Sequence, residues 1–473
     1  MKYTERVRCF DSIKIKPLQY HGKSIRGTIS FLSDGNEECF ELIFTYSHPI
    51  EADENMAGML LTMAAINFTY FAGSLYLDFP VSDSDLEIIG KYTKINNREV
   101  FVNKLCRRRY EFIKTEYLPE EKDITEENAN GSTEIIALYG KDKESPVNFK
   151  SGNRIAVLSS GGKESLLTYG MMREAGAEAY AFFFNESGGH WLTAKTSYEY
   201  YKANFKNVRK VWSNIDRFYK WAQIRLKVLD FAVVNKRADD YPIQLFTFPV
   251  YVFSFIPMIR AYSISGLLLG DELDDPREMP AYKGIKHYYG VFDQTWDFNK
   301  MTSEYFQAKG INSSLWSAVY PIFGSVVEKI LVNRYRNLYL QQRSCHSCHY
   351  SNGKIIPCGQ CTKCMGILLF VKYANGRTGE LGYNIEDGKL IIEKAEKVRM
   401  RIDPDEMEFL KLHISGEPIP ENLSHVEGIH VLPWENGRLS LIPENFRKSI
   451  GDILDQYTKG TYVIRGNAWE RWE

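Results

Sequence analysis

The 473-residue chain has almost no net charge: 59 Lys and Arg stand against 60 Asp and Glu, which leaves −1 with His neutral. A strongly one-signed field for gripping nucleic acid or an anionic membrane is therefore not expected, and a nucleic-acid partner is disfavoured. The chain also lacks a long, clean apolar run. Its most apolar stretch, from about Ala57 to Leu77, is interrupted by Asn67 and Gly73 and reads as a buried helix followed by a strand, not a membrane span. The first residues, Met1-Lys2-Tyr3-Thr4-Glu5-Arg6, carry no apolar core of a secretory signal. A soluble, cytoplasmic protein is expected. No internal repeat is visible. Cysteines are few, eight in all, and three of them (Cys9, Cys39 and Cys106) are scattered. That usage does not read as a disulfide framework.

What is present fits an ordinary folded chain: 44% apolar and 25% charged residues, with aromatics at 14%. The length predicts two or three domains. Residues 1–150 read as an N-terminal α+β domain, with alternating segments at Ser24–Leu32 and Cys39–Tyr46 as antiparallel strands and a helix over about Glu54 to Tyr70. The stretch Leu118–Ser145, rich in Glu, Lys, Asn and Gly, reads as a solvated linker.

The pattern changes at Arg154. Short apolar runs at Arg154–Ser159, Glu178–Phe184, Val208–Trp212 and Gly266–Gly270 alternate with helical segments, which predicts an α/β doubly wound parallel sheet over 151–340. Pro249 and Pro257 should break or kink a helical region over about Pro242–Ile264. Residues 300–345 read as helical, 341–375 as a cysteine knuckle with a following helix, and 376–473 as a C-terminal α/β extension.

The first apolar strand runs into Ser160-Gly161-Gly162-Lys163-Glu164-Ser165. A strand, a glycine pair and a helix start together make an anion site, because free backbone amides and the helix dipole point the same way. Glycines let the backbone approach a phosphate closely. Ser160 and Ser165 add hydroxyl donors, and Lys163 supplies a mobile positive charge. The spacer of a Walker A loop is absent, and two adjacent glycines do not make a dinucleotide fingerprint.

The hexapeptide resembles the Ser-Gly-Gly-x-Asp-Ser signature of the PP-loop ATP pyrophosphatases. The resemblance implies a five-stranded parallel, HUP-like sheet, ATP cleaved between its α and β phosphates with Mg²⁺, and an adenylated substrate. Glu164 stands where that family has Asp, so its carboxylate reaches one methylene further. Asp271 and Glu272, with Asp274 and Asp275, follow the strand Gly266–Gly270, at the edge where such sheets bind ligands; they are candidates for metal or substrate. Lys163, Glu164, Asp271 and Glu272 are thus the candidate catalytic residues, and Ser160, Gly161, Gly162, Lys163, Ser165 and Asn185 the candidate nucleotide contacts. Asn185 and Glu186 end the second strand, which the resemblance places near ribose and adenine. Asp216 follows the third strand. His287, Asp293, Gln294 and Asp297 lie in an aromatic-rich polar segment that is a candidate substrate pocket.

Cys345, Cys348, Cys358, Cys361 and Cys364 fall within twenty residues. Paired C-x₂-C steps present thiolates at tetrahedral Zn²⁺ spacing, with Gly359 permitting the turn, and a structural site is the default. Five cysteines exceed four ligands, so one is spare; His346 and His349 are weaker candidates. This knuckle after a PP-loop resembles the 7-cyano-7-deazaguanine synthase branch. With about 150 residues ahead of the loop, the arrangement is closer to the UDP-N-acetylmuramoyl-L-alanyl-L-glutamate epimerase branch, in which ATP and Mg²⁺ activate a terminal carboxyl. The resemblance covers roughly residues 1–375. It implies an AMP- and pyrophosphate-forming enzyme that adenylates a small-molecule carboxylate, whose adenylate then loses an α-proton or meets an amine. Two alternatives stand beside it, a tRNA-modifying PP-loop enzyme and an ATP-binding sensor module. A homo-oligomer is compatible with any of these.

Overall fold

A computed structural model describes residues 2–108, 111–140, 142, 144–189, 191–236, 241–243, 245–273, 279–288, 290–398, 400, 402–466 and 468–472. Ten strands form one sheet: β1 (Phe10–Gln19), β2 (His21–Ser33), β3 (Asn36–Glu51), β4 (Ala72–Leu77), β5 (Glu134–Ala137), β6 (Arg154–Leu158), β7 (Glu178–Asn185), β8 (Val208–Ser213), β9 (Gly266–Leu269) and, after the hairpin β10 (Met279–Tyr282) and β11 (Ile285–His287), β12 (Ser314–Ser317). Their spatial order is β12-β9-β6-β7-β8-β3-β2-β1-β4-β5. The five strands β12, β9, β6, β7 and β8 are all parallel. β3 joins them antiparallel to β8, Phe44 facing Ser213 and Tyr46 facing Val211. The sheet therefore runs without a break across the boundary expected near residue 150.

Burial explains which segments became which strands. β9 is buried at every position, as a central parallel strand covered on both faces must be. β3 alternates between buried and exposed along its second half, the signature of a strand with one wet face. β7 shows both faces at work: Phe182 stacks on Phe255 at 4.7 Å, while Phe183 meets Tyr198 at 5.3 Å on the opposite side.

Several sequence expectations change. Leu118–Ser145 is not simply a linker, since Glu134–Ala137 within it pairs parallel with β4 as the sheet's edge strand. The region 300–345 is interrupted by β12, between the helices Trp296–Ala308 and Gly324–Arg334. The helix expected from Pro242 begins only at Phe248 and runs to Ala261, with Pro249 in its first turn and Pro257 inside it. A proline costs nothing in a first turn, where its missing N–H has no partner to lose.

Beyond a small hairpin, β13 (His349–Ser351) and β14 (Lys354–Ile356), the extension folds as the helices Gly388–Glu396, Pro404–Ser415 and Glu444–Asp455 with the sheet β15 (Ile429–Val431), β16 (Thr461–Arg465) and β17 (Ala468–Arg471). It packs on the parallel half: Phe446 stacks on Trp316 of β12 at 6.1 Å, and the His430 amide donates to the Pro321 carbonyl. No helix among the described residues is long and apolar enough to cross a membrane.

Candidate functional site

The strand order sets where a ligand can sit. From β6 the chain builds outward through β7 and β8, then returns to place β9 and β12 on the other side. The carboxyl ends of β6 and β9 therefore flank a topological switch point, the crevice where open α/β sheets bind their ligands. A cleft of about 580 Å³ opens there. It is walled by Ser159 and Ser160 after β6, Gly270 to Glu272 after β9, and Phe184 and Glu186 at the end of β7.

The glycine loop is tied into a fixed shape. Gly161 adopts φ +81°, a left-handed conformation, and a Cβ there would lie 2.5 Å from the Thr193 carbonyl. Only glycine fits both conditions. The helix Lys163–Glu174 starts immediately after, with Gly162 as its N-cap. The Ser165 hydroxyl accepts the Ser160 amide at 3.3 Å and donates to the Gly162 carbonyl at 3.1 Å. Ser165 thus staples the loop internally while also lining the cleft, beside the exposed Ser160.

Lys163 sits away from the cleft surface, between two carboxylates. Its side chain is 4% exposed and its ammonium lies 2.6 Å from both Glu164 and Glu272, with the Phe370 ring 5.2 Å away. Burial disfavours its charge, but the two carboxylates override that and hold it well above the usual lysine range. A lysine in a first helical turn that points inward finds acidic partners at the β9 edge before it finds solvent. It holds the two carboxylates side by side. Burial likewise disfavours ionised Glu164, yet Lys163 outweighs it and holds that carboxyl below its usual range. Gly270 permits this packing, because a Cβ at that position would sit 2.6 Å from the Glu164 Cβ.

Asp271 is buried and accepts the Asn299 side-chain amide at 2.7 Å. Burial pushes its carboxyl up to about 7, with Asn299 opposing. Lys163, Glu164, Asp271 and Glu272 are thus gathered at one edge. Asp274 and Asp275 lie outside the described residues.

Other expected residues fall elsewhere. Asn185 does not line the cleft; its side-chain oxygen accepts the Ser187 amide at 2.9 Å and shapes the turn after β7. The two-residue period of the strand puts Phe184 and Glu186 on the cleft side instead. Tyr251 donates to Glu186 at 2.8 Å and lies against Phe184 with centroids 4.6 Å apart. Asp216 pairs with Lys220. Asp293 caps the helix Phe248–Ala261 through the Thr247 and Phe248 amides, and Asp297 accepts from Tyr288. Of the group proposed as a substrate pocket, Gln294 lines the cleft while His287, Asp293 and Asp297 do not.

The cysteine knuckle meets the same cleft. The sulfurs of Cys345, Cys358, Cys361 and Cys364 lie within 4.8 Å of one another, with Cys361 to Cys364 at 3.5 Å and Cys358 to Cys364 at 3.8 Å. Tetrahedral Zn²⁺ with thiolates at about 2.3 Å brings sulfurs to roughly this spacing. Backbone amides of Ser347 and Cys358 also donate to the Cys345 sulfur, each at 3.2 Å, the kind of bond that supports a ligating thiolate. The four cysteines fit such an ion. Cys348 is buried and hydrogen-bonded to Cys345 but lies outside the group of four. Gly359 takes φ +71° in the turn between ligands, as the spacing required. Two residues of this knuckle, His346 and Lys363, line the cleft itself. In the sequence His346 stands only as a weaker metal candidate, and Lys363 only as part of the Cys-Gly-x-Cys-x-Lys-Cys knuckle spacing. The signal is the position of Lys363 between two knuckle cysteines, which turns it away from the sulfurs and toward the cleft.

Compared with known proteins, the chain matches no protein-family model, and no curated protein matches it either.

Proposed function

We propose that this protein is an ATP-dependent, AMP- and pyrophosphate-forming enzyme that adenylates a small-molecule carboxylate at the β6/β9 edge. The observation that carries the reading is the Ser160–Ser165 loop standing at the switch point of a parallel sheet ordered β8-β7-β6-β9-β12, with Glu164 and Glu272 beside it. The PP-loop resemblance implies a five-stranded parallel sheet, and the five parallel strands around this loop support that reading.

In this reading the backbone amides at the start of the helix Lys163–Glu174 cradle the phosphates. Ser160 adds a hydroxyl at the mouth. Mg²⁺ would suit the carboxylates of Glu164 and Glu272, which are hard oxygen ligands, and it would supply charge neutralisation of the triphosphate. Lys163 keeps Glu164 and Glu272 side by side. Phe184 and Tyr251 offer an apolar wall for a flat ring, and Glu186 a polar group at its end.

Asp271 favours one fate of the adenylate. A carboxyl pushed to about 7 by burial titrates where a general base works best at neutral pH. Removal of a proton α to the activated carbonyl is the step such a group serves, and this supports an epimerase-like outcome over amide or nitrile formation. The four-cysteine knuckle is a structural Zn²⁺ site.

The test is product analysis. Labelled ATP incubated with a panel of carboxylic acids, including peptides ending in glutamate, should release AMP and pyrophosphate in an acid-dependent manner. Release of ADP, or no ATP binding by calorimetry, rejects the reading. Equal ATP binding with no turnover by any acid would favour a sensor instead.

A further inference from the structure

The cleft has an uneven charge. Glu164, Glu186, Asp271 and Glu272 line it, and Lys363 is the sole lysine or arginine among the described lining residues. A triphosphate entering this cleft needs a cation that is not already committed. Lys163 is committed, buried between two carboxylates at 2.6 Å each. Lys363 is exposed, and no described ion pair involves it; its charge is felt by the Glu164 carboxylate.

Lys363 sits where it does because of the knuckle. It lies between Cys361 and Cys364, whose sulfurs are 3.5 Å apart, in the first turn of the helix Thr362–Tyr373. The segment leading into Cys345 is in turn bonded to the glycine loop. The Arg343 amide donates to the Gly161 carbonyl at 3.0 Å, and a Cβ on Gly162 would meet the Ser344 hydroxyl at 3.7 Å. Arg343 also donates through Nε to the Ile355 carbonyl of β14 at 2.8 Å. Loop, knuckle and hairpin form one bonded unit with the cleft on one side and the four sulfurs on the other.

We infer that Lys363, not Lys163, is the cation that receives the β and γ phosphates and the departing pyrophosphate, and that the metal held by Cys345, Cys358, Cys361 and Cys364 fixes Lys363 in that position. This rests on the reading of the cleft as an ATP site. The knuckle is then part of the nucleotide site as well as a staple. Without its metal, Cys361 and Cys364 no longer constrain the turn that carries Lys363. The ligand class that senses the change is inorganic pyrophosphate and the nucleoside triphosphates, not the nucleoside monophosphate.

The experiment uses the full-length, metal-loaded protein and its Lys363→Gln and Lys363→Arg variants. Calorimetry with a non-hydrolysable ATP analogue, pyrophosphate and AMP reads the subsite directly. Losing one charge-assisted contact should weaken the analogue and pyrophosphate about 10- to 100-fold in Lys363→Gln, with AMP unchanged and Lys363→Arg largely restored. Wild-type protein that binds none of the three ligands refutes the ATP-site reading itself. Wild-type binding that Lys363→Gln leaves unaltered refutes only the assignment of Lys363. For the metal arm, Co²⁺ replaces the native ion and its d–d bands are recorded. Pyrophosphate should shift those bands in wild-type protein and not in Lys363→Gln. Bands that stay constant in wild-type protein while pyrophosphate binds overturn the coupling. This readout needs no metal-free, unfolding-prone protein.

Discussion

Replacing Lys163 by Met separates two roles for a lysine in a glycine loop. If Lys163 bound phosphate, Lys163→Met would weaken ATP and leave the fold untouched. The geometry demands the opposite. The ammonium lies 2.6 Å from both Glu164 and Glu272, whose side chains are 27% and 9% exposed. Deleting one member of a buried pair strands the charge that remains, at a cost of about 3–5 kcal/mol; the partial exposure of Glu164 favours the lower end. The pH dependence is a second signature. In the wild type, Lys163 titrates above its ordinary range, so its contribution is complete at neutral pH and lost only as the pH climbs past that range. Glu164 titrates below its ordinary value of about 4.3, so its contribution is present above that pH and lost as acid protonates it. In Lys163→Met the carboxylates have lost the charge that offset their burial, and protonation relieves them. The gap between variant and wild type should be widest near pH 7.5 and shrink toward pH 4.5. Urea denaturation followed by tryptophan fluorescence at three pH values measures it. A variant within about 1 kcal/mol of wild type at pH 7.5, or a gap that does not change with pH, would refute the reasoning.

Three further outcomes are expected. Metal analysis should find one Zn²⁺ per chain; Ser in place of Cys345, Cys358, Cys361 or Cys364 should abolish it, and Cys348→Ser should retain it. Gly161→Ala forces a left-handed φ on a residue with a Cβ and drives it to 2.5 Å from the Thr193 carbonyl; thermal unfolding should report a loss of about 1–3 kcal/mol from the conformation alone, and calorimetry the loss of ATP binding, with zinc content unchanged. Asp271→Asn should keep acid-dependent pyrophosphate exchange and lose the later step, whose rate in the wild type should rise with pH through about 7. Because a raised carboxyl pKa costs stability as the pH climbs through that value, Asp271→Asn should also flatten the fall in wild-type stability between about pH 4 and 7.

Much of the parallel half was legible because its strands are buried on both faces and their apolar runs stand out. The glycine pair, the acidic turn after β9 and the cysteine cluster were each visible for the same kind of reason, since a backbone or ligand requirement restricts the residues that can serve. Short elements hid. Ser314–Ser317 and Glu134–Ala137 are four residues long, too short to show a period, and they exist because a neighbouring strand pairs with them. That the sheet continues from β8 into β3 was equally invisible. Nothing local to Phe44–Tyr46 reports that the other edge is occupied by Val211–Ser213.

Side-chain direction was the harder problem. Lys163, Ser165 and Asn185 all belong to the right segments, yet only Ser165 lines the cleft; Lys163 turns inward to carboxylates and Asn185 shapes a turn. A motif specifies which residues stand near a ligand; the helix and strand periods decide which of them face it. Position i of the helix that starts at Lys163 points at the β9 edge, and the alternation of β7 exposes Phe184 and Glu186 where Asn185 was expected. The positive charge that the loop itself fails to present comes from about two hundred residues further along the chain, through Lys363. Two motifs that seem independent in sequence, the glycine loop and the cysteine knuckle, therefore meet at one bond, from the Arg343 amide to the Gly161 carbonyl, and on the proposed reading a change in either should be read in the ligand affinity of both.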